Sequence, residues 1–223
     1  MPDGQYSFYL HSDDRTDIAA METISTISQP LRGEFIRTAA TAGAVVYQVD
    51  ARLPALIPVF FAGQLSAVRL CAVMALVSGT WSSLTGLPDE PENGEAALPV
   101  SPETEYQRRR YTLTLQNGRS GERVESVLTE ASSRLRGDLL RNLIITGLAL
   151  HTTAPELPRL LASMPVPPTS VSELQALVQQ MAGTADVNRA AAAVPDTPAA
   201  SAAPVSGADT REIKKNMRRA FGD

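Results

Sequence analysis

The chain contains one module twice. Residues 31–79 align with 135–183 at a constant offset of 104 residues, without a gap. Leu31/Leu135, Arg32/Arg136, Gly33/Gly137, Arg37/Arg141 and Gly43/Gly147 coincide. So do Leu53/Leu157, Pro54/Pro158, Ser66/Ser170 and Gly79/Gly183. Further upstream, 6–11 (Tyr-Ser-Phe-Tyr-Leu-His) mirrors 111–116 (Tyr-Thr-Leu-Thr-Leu-Gln) after a slip of a residue or two. Two copies are too few for a solenoid. They suit a fold that is ordinarily a two-fold dimer, because an isologous interface uses the same patch twice.

Charge is more informative by position than in sum. The net charge is −4, yet 86–105 holds six acids and no base, while 106–141 holds eight arginines against four acids. An acidic total can therefore conceal a cationic face. A lone cysteine, Cys71, lies in an apolar helical stretch and reads as an inert core thiol. The N-terminal residues show no basic run ahead of an apolar segment, so the cytoplasm is expected. The apolar run 53–81 is interrupted by Pro54, Pro58, Gly63, Gln64 and Arg69. A spanning helix needs about 20 unbroken apolar residues, so two short buried helices are expected there, with no membrane partner.

Residues 5–11 alternate, with Tyr6, Phe8 and Leu10 against Ser7, Tyr9 and His11, which is the period of a half-buried strand. A helix with Ile18, Met21, Ile24 and Ile27 on one face follows the 13–17 turn. Pro30 breaks the chain before a second helix over 31–47, and short helices near 54–61 and 64–78 complete the unit. Gly43 in mid-helix disfavours the helix by roughly 1 kcal/mol relative to Ala. Its recurrence as Gly147 predicts two helices crossing closely. The second copy predicts a strand at 111–116 and helices at 122–133, 135–151 and about 171–182. The domain plan is a first module at 5–80, an acidic Pro/Gly linker at 86–105 and a second module at 106–183. An Ala/Pro/Ser-rich tether follows at 184–208, expected to be disordered, and then a terminal helix at 209–223.

Catalytic signatures are absent from the sequence. His11 and His151 fall in no zinc-binding spacing, and no Gly-rich phosphate loop or nucleophile elbow occurs. No enzyme, metal or cofactor is expected. A strand followed by two helices cannot make a stable sheet alone. Two copies can pair their strands over packed helices. The fold class is therefore mainly α with a two-stranded antiparallel ribbon: a tandem ribbon-helix-helix pseudo-dimer with extra C-terminal helices in each repeat, a disordered tether and a C-terminal short helix.

Such a ribbon fits the major groove and reads base edges. Tyr6, Phe8, Leu10, Tyr111, Leu113 and Leu115 are expected to face the helices. Ser7, Tyr9, His11, Thr112, Thr114 and Gln116 are expected to face outward and contact bases, the alternative being an ordinary solvated face. Helix N-termini favour anions. Arg32, Gly33, Arg136 and Gly137 stand at that end of the second helix in each copy and are assigned to DNA phosphates. Arg37 and Arg141, a turn further in, are assigned there too, against a solvated or core-capping role. Arg108, Arg109 and Arg110, leading into the second strand, complete the phosphate set.

The segment 32–56, with Arg37-Thr-Ala-Ala-Thr-Ala-Gly-Ala-Val-Val-Tyr47 followed by Asp50-Ala-Arg-Leu-Pro54, resembles the ParR/StbB family of plasmid partition proteins. That resemblance implies a ribbon-helix-helix fold binding centromere-like repeats on double-stranded plasmid DNA, coupled to an actin-like ATPase filament of the ParM type. The tail, with Ile213, Met217, Arg218 and Phe221, is similar to the family's filament-binding segment. The likeness covers most of 5–80, 110–183 more weakly, and the tail. The internal duplication departs from the family pattern of single-copy dimers.

The tail also has a physical logic of its own. Ile213, Met217 and Phe221 form a narrow apolar stripe flanked by Lys214, Lys215, Arg218 and Arg219. So short a helix is marginal alone and would order in a partner's groove or dock back on the core. The leading expectation is a plasmid segregation adaptor that self-associates on adjacent DNA sites and acts on its own operon. The alternatives are a relaxosome accessory protein of conjugation and a ribbon-helix-helix repressor or antitoxin. Fold alone does not separate them.

Overall fold

One strand from each repeat meets the other in an antiparallel ribbon, β1 (Gln5–His11) with β2 (Arg108–Thr114). The computed structural model describes residues 4–80 and 107–192. The expected linker at 86–105, the part of the expected tether from 193 to 208 and the expected terminal helix at 209–223 lie outside them. Pairing is centred on Phe8 opposite Tyr111, whose rings stack with centroids 5.2 Å apart and 16° between planes. Phe8, Leu10 and Leu113 are buried beneath the ribbon, as the alternation predicts, and Leu115 is buried just past its end. The second strand begins earlier than the expected 111–116. Centring on Phe8 forces this, because Tyr9, Leu10 and His11 need Arg110, Arg109 and Arg108 as partners.

After β1 come α1 (Arg15–Ser25), a 3-10 turn Gln29–Leu31, α2 (Arg32–Val49), α3 (Leu53–Phe60) and α4 (Ala67–Ser78). After β2 the order recurs as α5 (Arg119–Glu130), α6 (Arg136–Thr153), α7 (Leu157–Ser163) and α8 (Val171–Ala192). Local chemistry accounts for the ends. The Asp14 carboxylate accepts from the Asp17 N–H at 3.0 Å and caps α1, an interaction worth about 1 kcal/mol. Pro54 and Pro158 sit in the first turns of α3 and α7, where a missing N–H does no harm. Ser66 caps the start of α4, and Gly79 ends it in the left-handed conformation at φ 70°. The expected face of α1 is corrected: Asp17, Ala19, Ala20 and Ile24 are buried, while Ile18 and Met21 are only partly so. Asp17 turns inward because a partner waits for it there. The last helix outruns its expected end near 182 and takes the first residues of the supposed tether, an alanine-rich stretch with strong helix propensity.

Most of the core lies between α2 and α6, which run antiparallel against each other. Small residues let them meet: Ala39, Ala40, Ala42 and Ala44 are all buried. A Cβ at Gly43 would collide with the Leu143 carbonyl, and one at Gly147 with the Ala39 carbonyl. This is the close crossing that the repeated glycine predicts. The shorter helices then cross over, α3 packing on α6 and α7 on α2, so the buried apolar residues of both repeats join in one cluster. Two bonds recur at the repeat offset: Thr16 Oγ1 donates to the Pro58 carbonyl at 3.1 Å, and Ser120 Oγ to the Ala162 carbonyl at 3.3 Å. Among the described residues no helix is long and apolar enough to cross a membrane. The run at 53–81 divides into α3 and α4, as its interruptions predict.

Candidate nucleic-acid interface

The strand register decides which side chains share the ribbon's outer face. Gln5 stands opposite Thr114, Ser7 opposite Thr112, Tyr9 opposite Arg110, and His11 opposite Arg108. Since pleating alternates the faces, these eight lie on the side away from the helices. None is acidic. Gln5, Arg108, Arg110, Thr112 and Thr114 are exposed, and Ser7, Tyr9 and His11 are partly buried. The arginines are held across the strands. Arg110 donates to Ser7 Oγ from Nε at 3.2 Å and from Nη2 at 2.9 Å. The Arg108 guanidinium lies 3.6 Å from the centroid of the Tyr9 ring, an arrangement worth about 0.5–1 kcal/mol at an exposed site.

Three placements differ from the sequence expectation. Arg108 and Arg110, assigned to phosphates ahead of the strand, are strand residues on the outer face. Arg109 takes the inner-face register opposite Leu10 at the ribbon's end, stays exposed, and lies 5.3 Å from the centroid of Tyr111. Gln116, assigned to base contacts, falls beyond β2 in the loop leading to α5. Gln5 was missed, although the alternation of β1 extends back to it.

At the starts of α2 and α6, Arg32 and Arg136 turn their side chains backward. Arg32 Nε donates to the Ile27 carbonyl at 2.8 Å and Nη2 to the Ser25 carbonyl at 3.2 Å. Arg136 Nε donates to the Ala131 carbonyl at 3.3 Å, the same bond at the repeat offset. Both guanidiniums thus satisfy carbonyls left over at the end of the preceding helix. Neither α2 nor α6 has a side-chain cap, so backbone N–H groups at Gly33 and Gly137 belong to uncapped helix starts. Gly137 also lies against the ribbon, near the Ser7 carbonyl.

Arg37 and Arg141 are equivalent in sequence and unlike in setting. Arg141 Nε meets Asp17 Oδ1 at 2.6 Å, and Nη2 meets Asp14 Oδ2 at 3.2 Å. Asp17 is fully buried and also accepts from the His11 backbone N–H at 2.9 Å. Burial pushes the Asp17 carboxyl above its usual range, against the pull of Arg141 and that N–H. Arg141 is therefore committed inside the fold and leaves the phosphate set. Arg37 pairs with the exposed Glu34 one turn away, at 2.6 Å.

Among the described residues no group of His, Cys, Asp and Glu could hold a metal ion. Cys71 is buried, and burial pushes its thiol pKa up. His151 packs edge-on against Phe35, with centroids 4.9 Å apart. The expected partner-binding residues Ile213, Lys214, Lys215, Met217, Arg218, Arg219 and Phe221 lie outside the described residues.

With this geometry in place, comparison with known proteins gives one result. The family model described as plasmid stability protein matches residues 4–74 and again 109–178, one match on each repeat. No curated protein and no solved structure matches.

Proposed function

The chain belongs to the plasmid stability protein family, and from that premise we propose that its part in plasmid maintenance is to bind plasmid DNA as an adaptor, without catalysis of its own. The β1–β2 ribbon enters the major groove and its outer face reads base edges. The observation that carries this reading is the composition of that face. Eight side chains from two paired strands, two of them arginines held by cross-strand interactions, present donors and acceptors with no carboxylate to repel phosphate.

The uncapped starts of α2 and α6 flank the ribbon and suit backbone phosphates. Arg32 and Arg136 contribute there by fixing those helix starts. Protomers assembled on repeated sites, the chain's own operon among them, would present many copies of the 209–223 segment. That segment captures an actin-like ATPase filament of the ParM type. Weak individual attachments then add up through effective concentration.

The test uses full-length protein on DNA from upstream of its own operon and on random duplex, across a salt series. Thr112→Ala should lower affinity for the cognate site by roughly 5–100-fold, the range for removing one base-edge interaction, and spare random DNA. Arg108→Ala with Arg110→Ala should weaken binding further and flatten the salt dependence by about one unit of slope for each phosphate no longer neutralised. Equal losses on both duplexes for Thr112→Ala would refute base reading by the ribbon. Deleting 209–223 should leave DNA binding intact and abolish plasmid retention; unchanged retention would refute the filament-coupling role.

A further inference from the structure

The repeat offset places Gly118 on Asp14, Gly121 on Asp17 and Arg37 on Arg141. The long-helix arginine of the second half, Arg141, closes on the two carboxylates of the first. At the equivalent positions of the second half both carboxylates are missing, and the first half's Arg37 remains beside them. A cavity of about 310 Å³ lies there, lined by Arg37, Arg119 and Arg159 together with Thr38 and Ser120. Arg37 Nε is buried without a hydrogen-bond partner. Among the described residues no carboxylate pairs with Arg119 or Arg159. The start of α5, which opens on this space, has no side-chain cap, whereas Asp14 caps α1. Behind the cavity's Arg119, Arg123 is pushed below its usual pKa, chiefly by burial and secondarily by Arg119.

A side chain at position 121 cannot refill the position. A Cβ at Gly121 would collide with the Gln116 carbonyl. Four residues separate β2 from α5, where three separate β1 from α1. Three guanidiniums against the single carboxylate of Glu34 leave a surplus of positive charge in a partly enclosed space, where an arginine fork holds an oxyanion well.

We infer that this cavity is a receptor for a carboxylate of an acidic peptide segment, seated where Asp14 and Asp17 stand in the first half. A carboxylate is favoured over a DNA phosphate because the sister site takes carboxylates. In addition, the helices and loop around the cavity carry none of the outer-face ribbon residues. The acidic peptide has two sources: the chain's own 86–105 stretch, with six acids and no base, or an acidic segment of another protein.

The experiment follows the Arg37 Nε–H signal by NMR in the full-length chain. It compares the native chain with one carrying Asp89→Asn, Glu90→Gln, Glu92→Gln, Glu95→Gln, Glu103→Gln and Glu105→Gln. A synthetic 86–105 peptide is then added to the neutralised chain. If the chain's own linker is the source, neutralisation shifts the signal and the added peptide restores it. If the source is external, neutralisation leaves the signal unchanged, while the peptide still binds in a manner that depends on the arginines. In both cases Arg159→Gln should weaken peptide binding about tenfold. Arg37→Lys, which keeps the charge and loses the fork, should do the same, with helical content unchanged by circular dichroism. The inference is overturned if the peptide binds no better than its fully amidated counterpart, or if duplex DNA moves the Arg37 signal and the peptide does not.

Discussion

The two halves of this molecule share a backbone plan and differ in what they do with it. Bonds that build the plan recur at the repeat offset: Arg32 and Arg136 cap the preceding helix, and Thr16 and Ser120 tie the first helix to the short third one. Gly43 and Gly147 make the same crossing from opposite sides. Away from that plan the halves diverge. The first exposes Val59, Phe60, Val68 and Leu76 on α3 and α4, where the second carries Ser163, Met164, Ser172 and Gln180. Asp17 of the first half is buried against Arg141 of the second; at the equivalent place Gly121 of the second half lies by Arg37 of the first, whose ion partner is exposed. A dimer of identical chains must place every substitution twice. A fused pair can alter one copy alone, so symmetry survives at the α2–α6 crossing and lapses at the Arg141–Asp17 pair and on the outer faces of α3 and α4.

Exchanging or deleting the differing groups should measure that divergence. The largest effect is expected at Arg141→Ala, which strands the buried Asp17 carboxylate and should lower unfolding stability by about 3–5 kcal/mol, read from chemical denaturation. Gly43→Ala comes next, at about 1–3 kcal/mol from overpacking against the Leu143 carbonyl. Gly147→Ala should match it; a large disparity would mean that the crossing is not symmetric. Arg37→Ala, the repeat equivalent of the first substitution, should change stability by less than about 1 kcal/mol, because its ion partner is exposed. If Arg37→Ala and Arg141→Ala proved equally damaging, the contrast between the halves would fail.

The smallest effect concerns Asp50. Its carboxyl is held below the usual range by Arg52, which also reaches the Val77 carbonyl. A lowered folded-state pKa adds stability above the unfolded value near pH 4, and that stability disappears as the pH falls through the folded value. Asp50→Asn should therefore make acid unfolding shallower below about pH 4. The second half has Ala154 and Glu156 at these positions, so no such clasp exists there for the substitution to disturb.

The repeat made the pairing of strands and the crossing of helices legible, because both follow from matching residues at a fixed offset. Outer-face identities at Ser7, Tyr9, His11, Thr112 and Thr114 were legible from alternation alone. The ends of β2 were not. Three consecutive arginines break the apolar alternation, and only centring on Phe8 and Tyr111 draws them into the strand. The fate of Arg141 was hidden for another reason. Its partners lie 124 and 127 residues away in sequence, and nothing local distinguishes it from Arg37. The vacancy opposite Arg37 becomes visible only when Gly118 and Gly121 are laid over Asp14 and Asp17.

The crossed packing of α3 on α6 and α7 on α2 has a consequence for inheritance. A dimer of separate chains trades subunits with any close relative made in the same cell, and hybrids then blur which molecule serves which replicon. Here each half finds its mate on its own polypeptide, at the high local concentration that a covalent connection provides. A stray half-chain would have to displace a mate that never diffuses away. The fusion thus keeps the identity of each copy private to the gene that encodes it.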